Sequence, residues 1–157
     1  MIHTETERKF LVLSDAFKAQ ATETHRIKQG YIARDNGNSV RVRIKDNIGI
    51  LTIKGPSADD ISRTEWEIEI PLADAEALLK LCHGGIIDKT RYIVPEVSGR
   101  VFEVDEFYGD NEGLVMAEIE LDAPDQPFEK PEWLGQEVTG DRHYYNSYLS
   151  LHPFRTW

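Results

Sequence analysis

The stretch Val40-Arg41-Val42-Arg43-Ile44 sets two arginines on one side of an extended chain and three branched apolar residues on the other, because successive side chains of a strand point to opposite faces. The same division recurs along the chain. Glu5, Glu7 and Lys9 share a face; Thr52 and Lys54 oppose Leu51 and Ile53; Arg63, Glu65, Glu67 and Glu69 oppose Thr64, Trp66, Ile68 and Ile70. Lys89 and Arg91 oppose Thr90 and Tyr92, Glu103 and Asp105 oppose Phe102 and Val104, and Glu118 and Glu120 oppose Ala117, Ile119 and Leu121. Period-2 alternation predicts eight strands, over 3–12, 26–34, 38–46, 48–55, 62–70, 87–94, 100–107 and 114–121. Turn-forming residues separate them, as at Asp35-Asn36-Gly37-Asn38, Asp46-Asn47 and Gly55-Pro56-Ser57, so neighbours are expected to pair as antiparallel hairpins.

The ordinary reading of polar and apolar alternation is a sheet with one solvated face. Here the polar faces carry arginine pairs and carboxylate pairs at i, i+2, where a solvated face is commonly dressed with Thr, Ser, Gln and Lys. Eight strands also suffice for a sheet to close on itself around a small ligand. The expected fold is therefore mainly β (α+β): a closed eight-stranded antiparallel barrel with a charged lumen and a few covering helices. Helical spacing predicts those helices over 15–23 with Ser14 as cap, from Asp74 to Leu81 with a stop at Gly84-Gly85, and from Arg142 towards Leu151 with Asp141 as cap.

A chain of 157 residues suits one domain, 1–157, and contains no internal repeat or low-complexity linker. No apolar run reaches the length of a membrane span and no signal-peptide pattern opens the chain, so a cytoplasmic protein without membrane association is expected. With 28 acidic against 18 basic residues and a net charge of −10, nucleic acid is not an expected partner. Cys82, the one cysteine, falls in an apolar segment and reads as a core residue; His3, His25, His83, His143 and His152 lack metal-ligand spacing.

Neither sign of charge could stay ionised alone inside a barrel, so such a lumen demands pairing or counter-ions. Arginine forks and lysine ammonium groups match a row of phosphates. Carboxylate pairs match hard, oxygen-loving cations, Mg²⁺ or Mn²⁺. Glu65, Glu67 and Glu69 either belong to that set or orient neighbouring arginines.

Glu5-Thr6-Glu7-Arg8-Lys9 fits a Glu-x-Glu-x-Lys signature, followed in order by Gln29-Gly30-Tyr31, Val40-Arg41-Val42-Arg43, Leu51-Thr52-Ile53-Lys54-Gly55, Arg63-Thr64-Glu65-Trp66-Glu67, Lys89-Thr90-Arg91-Tyr92, Glu103-Val104-Asp105-Glu106-Phe107, Ala117-Glu118-Ile119-Glu120 and Glu137-Val138-Thr139-Gly140-Asp141. This series resembles the CYTH superfamily, the triphosphate tunnel metalloenzymes, and the compact chain is similar to the small bacterial inorganic tripolyphosphatases among them. The resemblance implies metal ligands drawn from Glu5, Glu7, Asp105, Glu118 and Glu120. It implies phosphate binding by Lys9, Arg41, Arg43, Lys54, Arg63, Lys89 and Arg91, residues that strand-face sorting selects as well.

The expected partner is a small-molecule triphosphate and the expected reaction is metal-dependent hydrolysis of a terminal phosphoanhydride. Lys89 or Arg91 would stabilise the leaving pyrophosphate, and Tyr31, if it faces Lys9, would help polarise water. The alternatives are a class IV-type adenylate cyclase, a thiamine or nucleoside triphosphatase, and a polyphosphate- or nucleotide-binding module without turnover. Tyr144, Tyr145, Tyr148, Trp133 and Trp157 either cover the barrel, line one mouth or form a homodimer contact.

Overall fold

The computed structural model describes residues 2–57 and 59–157. Its strands are β1 (Ile2–Val12), β2 (Glu23–Asp35), β3 (Asn38–Lys45), β4 (Ile48–Lys54), β5 (Ser62–Ile70), β6 (His83–Pro95), β7 (Val101–Phe107), β8 (Val115–Glu120) and β9 (Leu134–Glu137). Three short helices accompany them: α1 (Phe17–Gln20), α2 (Leu72–Leu79) and α3 (Asn146–Leu149).

Eight strands close in the order β1-β5-β4-β3-β2-β6-β7-β8 and back to β1. Closure falls on β1, whose first half, Ile2 to Thr6, pairs with β5 and whose second half, Glu7 to Leu11, pairs with β8. All these pairings are antiparallel, as the short connections require for β2–β3, β3–β4, β4–β5, β6–β7 and β7–β8. The β2–β3 link turns at Asn36 (φ 51°) and Gly37 (φ 80°), the left-handed pair of a two-residue hairpin whose twist suits the strands it joins.

The larger apolar cluster lies outside the barrel wall. Phe10, Phe102, Val104, Ala117 and Ile119 project outward from β1, β7 and β8 and pack with Phe17, Val94, Leu121, Trp133 and Leu134. Phe17 of α1 and Trp133 stack edge-on at 5.9 Å, and Trp133 meets Phe102 at 5.3 Å. Each large apolar side chain removed from water here stabilises the fold by about 1.5–3 kcal/mol, so α1 and the segment leading to β9 act as the cover that a barrel with a polar interior needs. A second cluster, Ile87, Phe107, Leu114, Met116 and Leu149, includes Ile87, Phe107 and Met116 on the strand faces of Lys89, Asp105 and Glu118, so it fills one end of the lumen and docks the C-terminal α3 there.

The structure departs from the sequence reading at the edges of the barrel. A ninth strand, β9, pairs with the end of β1 at Phe10 and Val12; its four residues are too few to show a period. The first helix spans Phe17–Gln20 rather than 15–23, with Ala16 in the cap position. α2 starts at Leu72 behind Pro71, two residues before Asp74, and ends at Leu79. Gly84 and Gly85 lie inside β6. Gly84 has φ +78°, and a Cβ there would stand 2.6 Å from the Ser150 carbonyl oxygen, so this glycine serves the docking of the C-terminal segment and no helix stop. The expected helix from Arg142 is broken into a 3₁₀ turn, Arg142–Tyr144, and the single turn of α3; Asp141 does cap the first, accepting from the His143 amide at 3.1 Å. Among the described residues no helix is long and apolar enough to cross a membrane.

Candidate active site

Because all eight strands are in register through their charged positions, the inward side chains form continuous rows. On one wall Glu7 stands opposite Glu120 and Lys9 opposite Glu118, Glu103 opposite Glu118, and Arg91 opposite Asp105. On the other, Tyr31 stands opposite Arg41, Arg41 opposite Thr52, Lys54 opposite Glu65 and Glu5 opposite Arg63. They enclose a cavity of about 290 Å³ lined by Glu5, Glu7, Lys9, Tyr31, Arg41, Arg43, Lys54, Arg63, Lys89, Arg91, Glu118 and Glu120 together with Glu65, Glu67 and Glu103. Asp105 alone of the expected site residues stands behind this surface. It is 2% exposed, and its two oxygens accept from Arg91 Nε at 2.8 Å and Nη2 at 2.9 Å while Lys89 Nζ lies 2.7 Å away.

The acidic side shows the strain of concentrated like charge. Burial, then the Glu118 charge beside it, pushes the Glu7 carboxyl well above the usual carboxylate range. Glu118 moves the other way: burial opposes its ionisation, but the Lys9 ammonium and a hydrogen bond from Glu7 outweigh that and hold it low. Burial raises Glu120, and Glu5, Glu103 and Glu65 add to it. Lys54 binds Glu5 at 2.6 Å and approaches Glu65 at 3.5 Å, which overcomes burial and keeps Glu5 ionised.

On the basic side, Arg43 donates to Gln29 Oε1 at 3.0 Å, and Arg41 Nη2 donates to Thr52 Oγ1 at 3.3 Å. Arg41 Nε is buried with no protein partner, a donor that an incoming oxyanion can satisfy. Burial pushes the Lys89 ammonium down to about 7 against the pull of Asp105. Arg63 sits at the mouth, its guanidinium on the Gly55 carbonyl at 2.8 Å and the Gly37 carbonyl at 3.1 Å. Lys9 Nζ donates to the Tyr144 carbonyl at 3.1 Å, lies 3.6 Å from Glu118, and has the ring of Tyr145 at 5.0 Å. The aromatic group against Lys9 is thus Tyr145. Tyr31 lines the cavity with the Arg34 guanidinium 5.7 Å from its ring.

Glu5, Glu7, Glu118 and Glu120 form an all-oxygen donor set on adjoining strands, and the raised carboxyls of Glu7 and Glu120 are the mark of a group of acids short of positive charge. That set fits a hard divalent cation. Among the described residues no three acidic, histidine or cysteine groups already stand as a closed cation cage, since Lys54 draws Glu5 aside and Lys9 draws Glu118.

Several cavity residues escape the sequence reading. Ser39 and Lys45 continue the alternation of Arg41 and Arg43 on β3 and were available to the same logic. Gln29, which stands behind the cavity lining and is fully buried against Arg43, precedes Tyr31 by two on β2. Asn146 and Ser147 come from outside the barrel strands and line the cavity as well, as do Thr139 and Gly140 of the family series and Tyr145, for which lining one mouth was among the expected alternatives; no periodicity marks them. Glu67 accepts from Thr52 at 2.9 Å with Arg41 at 4.0 Å, a place beside the arginines, and Glu69 is exposed.

The family model for the CYTH domain matches residues 3–147. An inorganic triphosphatase of Acetivibrio thermocellus is 47% identical over 154 residues, covering 98% of this chain and 97% of its own. An inorganic triphosphatase of Nitrosomonas europaea is 35% identical over 151 residues, covering 94% and 97%. Among solved structures, the inorganic triphosphatase NE1496 superposes with a TM-score of 0.66 at 32% identity, covering 94% of this chain and 97% of that one. The PH1012 protein of Pyrococcus horikoshii shares the fold with a TM-score of 0.62 at 20% identity, covering 76% and 80%.

Proposed function

The chain belongs to the CYTH domain family, and from that premise we propose that it is an inorganic triphosphatase, cleaving tripolyphosphate to pyrophosphate and phosphate with Mg²⁺ or Mn²⁺. The reading rests on the division of one small lumen into an acidic wall, where Glu5, Glu7, Glu118 and Glu120 crowd together and burial with the Glu118 charge pushes the Glu7 carboxyl up, and a basic wall, where a buried Arg41 donor lacks a partner. A phosphate chain and a cation bound together would relieve both. Relatives covering nearly the whole chain are inorganic triphosphatases. The cavity, at about 290 Å³, lies at the lower end of the roughly 300–1,000 Å³ of small-molecule sites, as suits a bare triphosphate.

Arg41, Arg43, Arg63 and Arg91 grip phosphate oxygens through paired N–H groups, and Lys9, Lys54 and Lys89 add point charges. Together they hold the chain straight for in-line displacement. Glu5, Glu7, Glu118 and Glu120 would hold the divalent cation, whose charge would offset the burial and like charge that push the Glu7 carboxyl up. The bound cation supplies neutralisation of the phosphate oxygens and a more acidic attacking water. Lys9, with Tyr145 rather than Tyr31 against it, orients that water, while Lys89 and Arg91 take up the charge that builds on the departing pyrophosphate. Asp105 fixes Arg91 and Lys89 in place for that task.

Phosphate release from tripolyphosphate, ATP, thiamine triphosphate and pyrophosphate, each with Mg²⁺ and with Mn²⁺, tests the assignment. Tripolyphosphate is the preferred substrate on this account. ATP converted to a cyclic nucleotide and pyrophosphate would replace it with a cyclase.

A further inference from the structure

Lys89 is the most deeply buried cation of the lumen, 1% exposed. Its ammonium has three N–H donors. One meets Asp105 at 2.7 Å, and one donates to Asn146 Oδ1 at 3.0 Å. The third is left for the cavity, which Lys89 lines. Asp105 is shared, because Arg91 grips both of its oxygens. Asn146 Oδ1 serves Lys89 alone among the described residues.

Asn146 reaches this position from α3, beyond the barrel strands. It precedes Leu149 by three residues, so the two share a face of the helical turn. Leu149 is fully buried against Ile87, Phe107, Leu114 and Met116, and the Gly85 amide donates to the Ser150 carbonyl at 2.6 Å. Apolar packing and this strap fix the turn, and the turn fixes the amide. The chemistry of that amide is specific. A carboxylate would hand Lys89 another full negative charge and repel phosphate, whereas an apolar side chain would leave a buried N–H without an acceptor.

We propose that Asn146 is a positioning residue of the phosphate site, a neutral acceptor that fixes the Lys89 ammonium from a segment beyond the barrel strands so that its remaining N–H meets the phosphate chain. The inference rests on the triphosphatase reading above.

The test is kcat and KM for tripolyphosphate with Mg²⁺, together with the melting temperature, for wild type, Asn146→Ala and Asn146→Asp. Losing one hydrogen bond to a charged group predicts a fall of about tenfold or more in kcat/KM for Asn146→Ala. Asn146→Asp keeps the shape and melts within a few degrees of wild type, yet has the higher KM of the two variants because its charge opposes the substrate. A role confined to packing gives the opposite order, with Asp close to wild type and Ala impaired through its melting temperature. That order, or a KM within about twofold of wild type in both variants, overturns the inference. If Asn146→Ala does not fold, the near-isosteric Asp variant decides alone, through its KM. Wild-type protein that does not cleave tripolyphosphate overturns the triphosphatase reading and this inference with it; active wild type with unaltered variants overturns this inference only.

Discussion

The guanidinium of Arg91 holds Asp105 through two parallel hydrogen bonds, Nε to Oδ1 at 2.8 Å and Nη2 to Oδ2 at 2.9 Å, across the β6–β7 pair. Burial alone would raise the Asp105 pKa, and the Arg91 and Lys89 charges more than reverse that, leaving it depressed. The carboxylate is the shared anchor of two buried cations. Asp105→Ala leaves Lys89 without its carboxylate and Arg91 with Glu103 alone, at 3.1 Å, and is expected to cost about 3–5 kcal/mol of folding stability. Urea unfolding of the two proteins at neutral pH measures it, and a loss below about 1 kcal/mol would show that the ion pair does not hold the wall together.

Arg41 presents a buried Nε without a partner beside an Nη2 on Thr52. Lysine can replace its charge but not its fork. Arg41→Lys is therefore expected to fold normally and to lose roughly tenfold to a hundredfold in kcat/KM for tripolyphosphate, the scale of one lost charge-assisted hydrogen bond. Steady-state kinetics with matched melting curves check this; full activity in the variant would mean that only the point charge matters.

The barrel itself was readable from the sequence because its period is two and its faces differ in charge, so Val40 to Ile44 and Arg63 to Ile70 could be oriented residue by residue. Every expected site residue but Asp105 then came to line one cavity. What alternation cannot show is which charge answers which. Asp105 shares its strand face with Glu103, yet it sits opposite Arg91 and meets Lys89, while Glu103 reaches the cavity. Residues carried in by irregular chain, such as Tyr145 and Asn146, leave no periodic trace, and their place depends on Leu149 finding Ile87 and Phe107 across the fold. The Gly84-Gly85 pair reads as a helix stop locally and proves to be a docking point for Ser150, a contact between parts of the chain distant in sequence.

Gly84 gives a direct handle on that docking. With φ at +78° and a prospective Cβ 2.6 Å from the Ser150 carbonyl oxygen, Gly84→Ala meets both backbone strain and a backbone clash. A stability loss of about 1–3 kcal/mol is expected, with faster amide exchange over residues 146–151 than over β3 and β4. Uniform exchange across the chain would contradict the link between this glycine and the C-terminal segment.

Glu7 makes stability depend on pH. Its folded-state pKa lies above its unfolded value, near 4.3, so the folded protein binds the extra proton between that value and the raised one. In a chelator, stability should then fall as pH rises through this window, and Glu7→Gln should remove that part of the fall. Divalent cation should restore wild-type stability at neutral pH, and do so far less in the variant. Melting curves from about pH 4 upward, with and without Mg²⁺, measure both effects; parallel wild-type and variant profiles would show that the fold does not raise the Glu7 carboxyl.

On the proposed reading, acidic and basic walls of one lumen hold a triphosphate and a cation together for hydrolysis. The most direct measurement of it is the product stoichiometry of tripolyphosphate turnover, read by phosphorus NMR with Mg²⁺, with chelator, and with Glu7→Gln. The account predicts one phosphate and one pyrophosphate per tripolyphosphate with Mg²⁺, and no turnover with chelator or in the variant. Cleavage that proceeds unchanged without the cation or without the Glu7 carboxylate would contradict it.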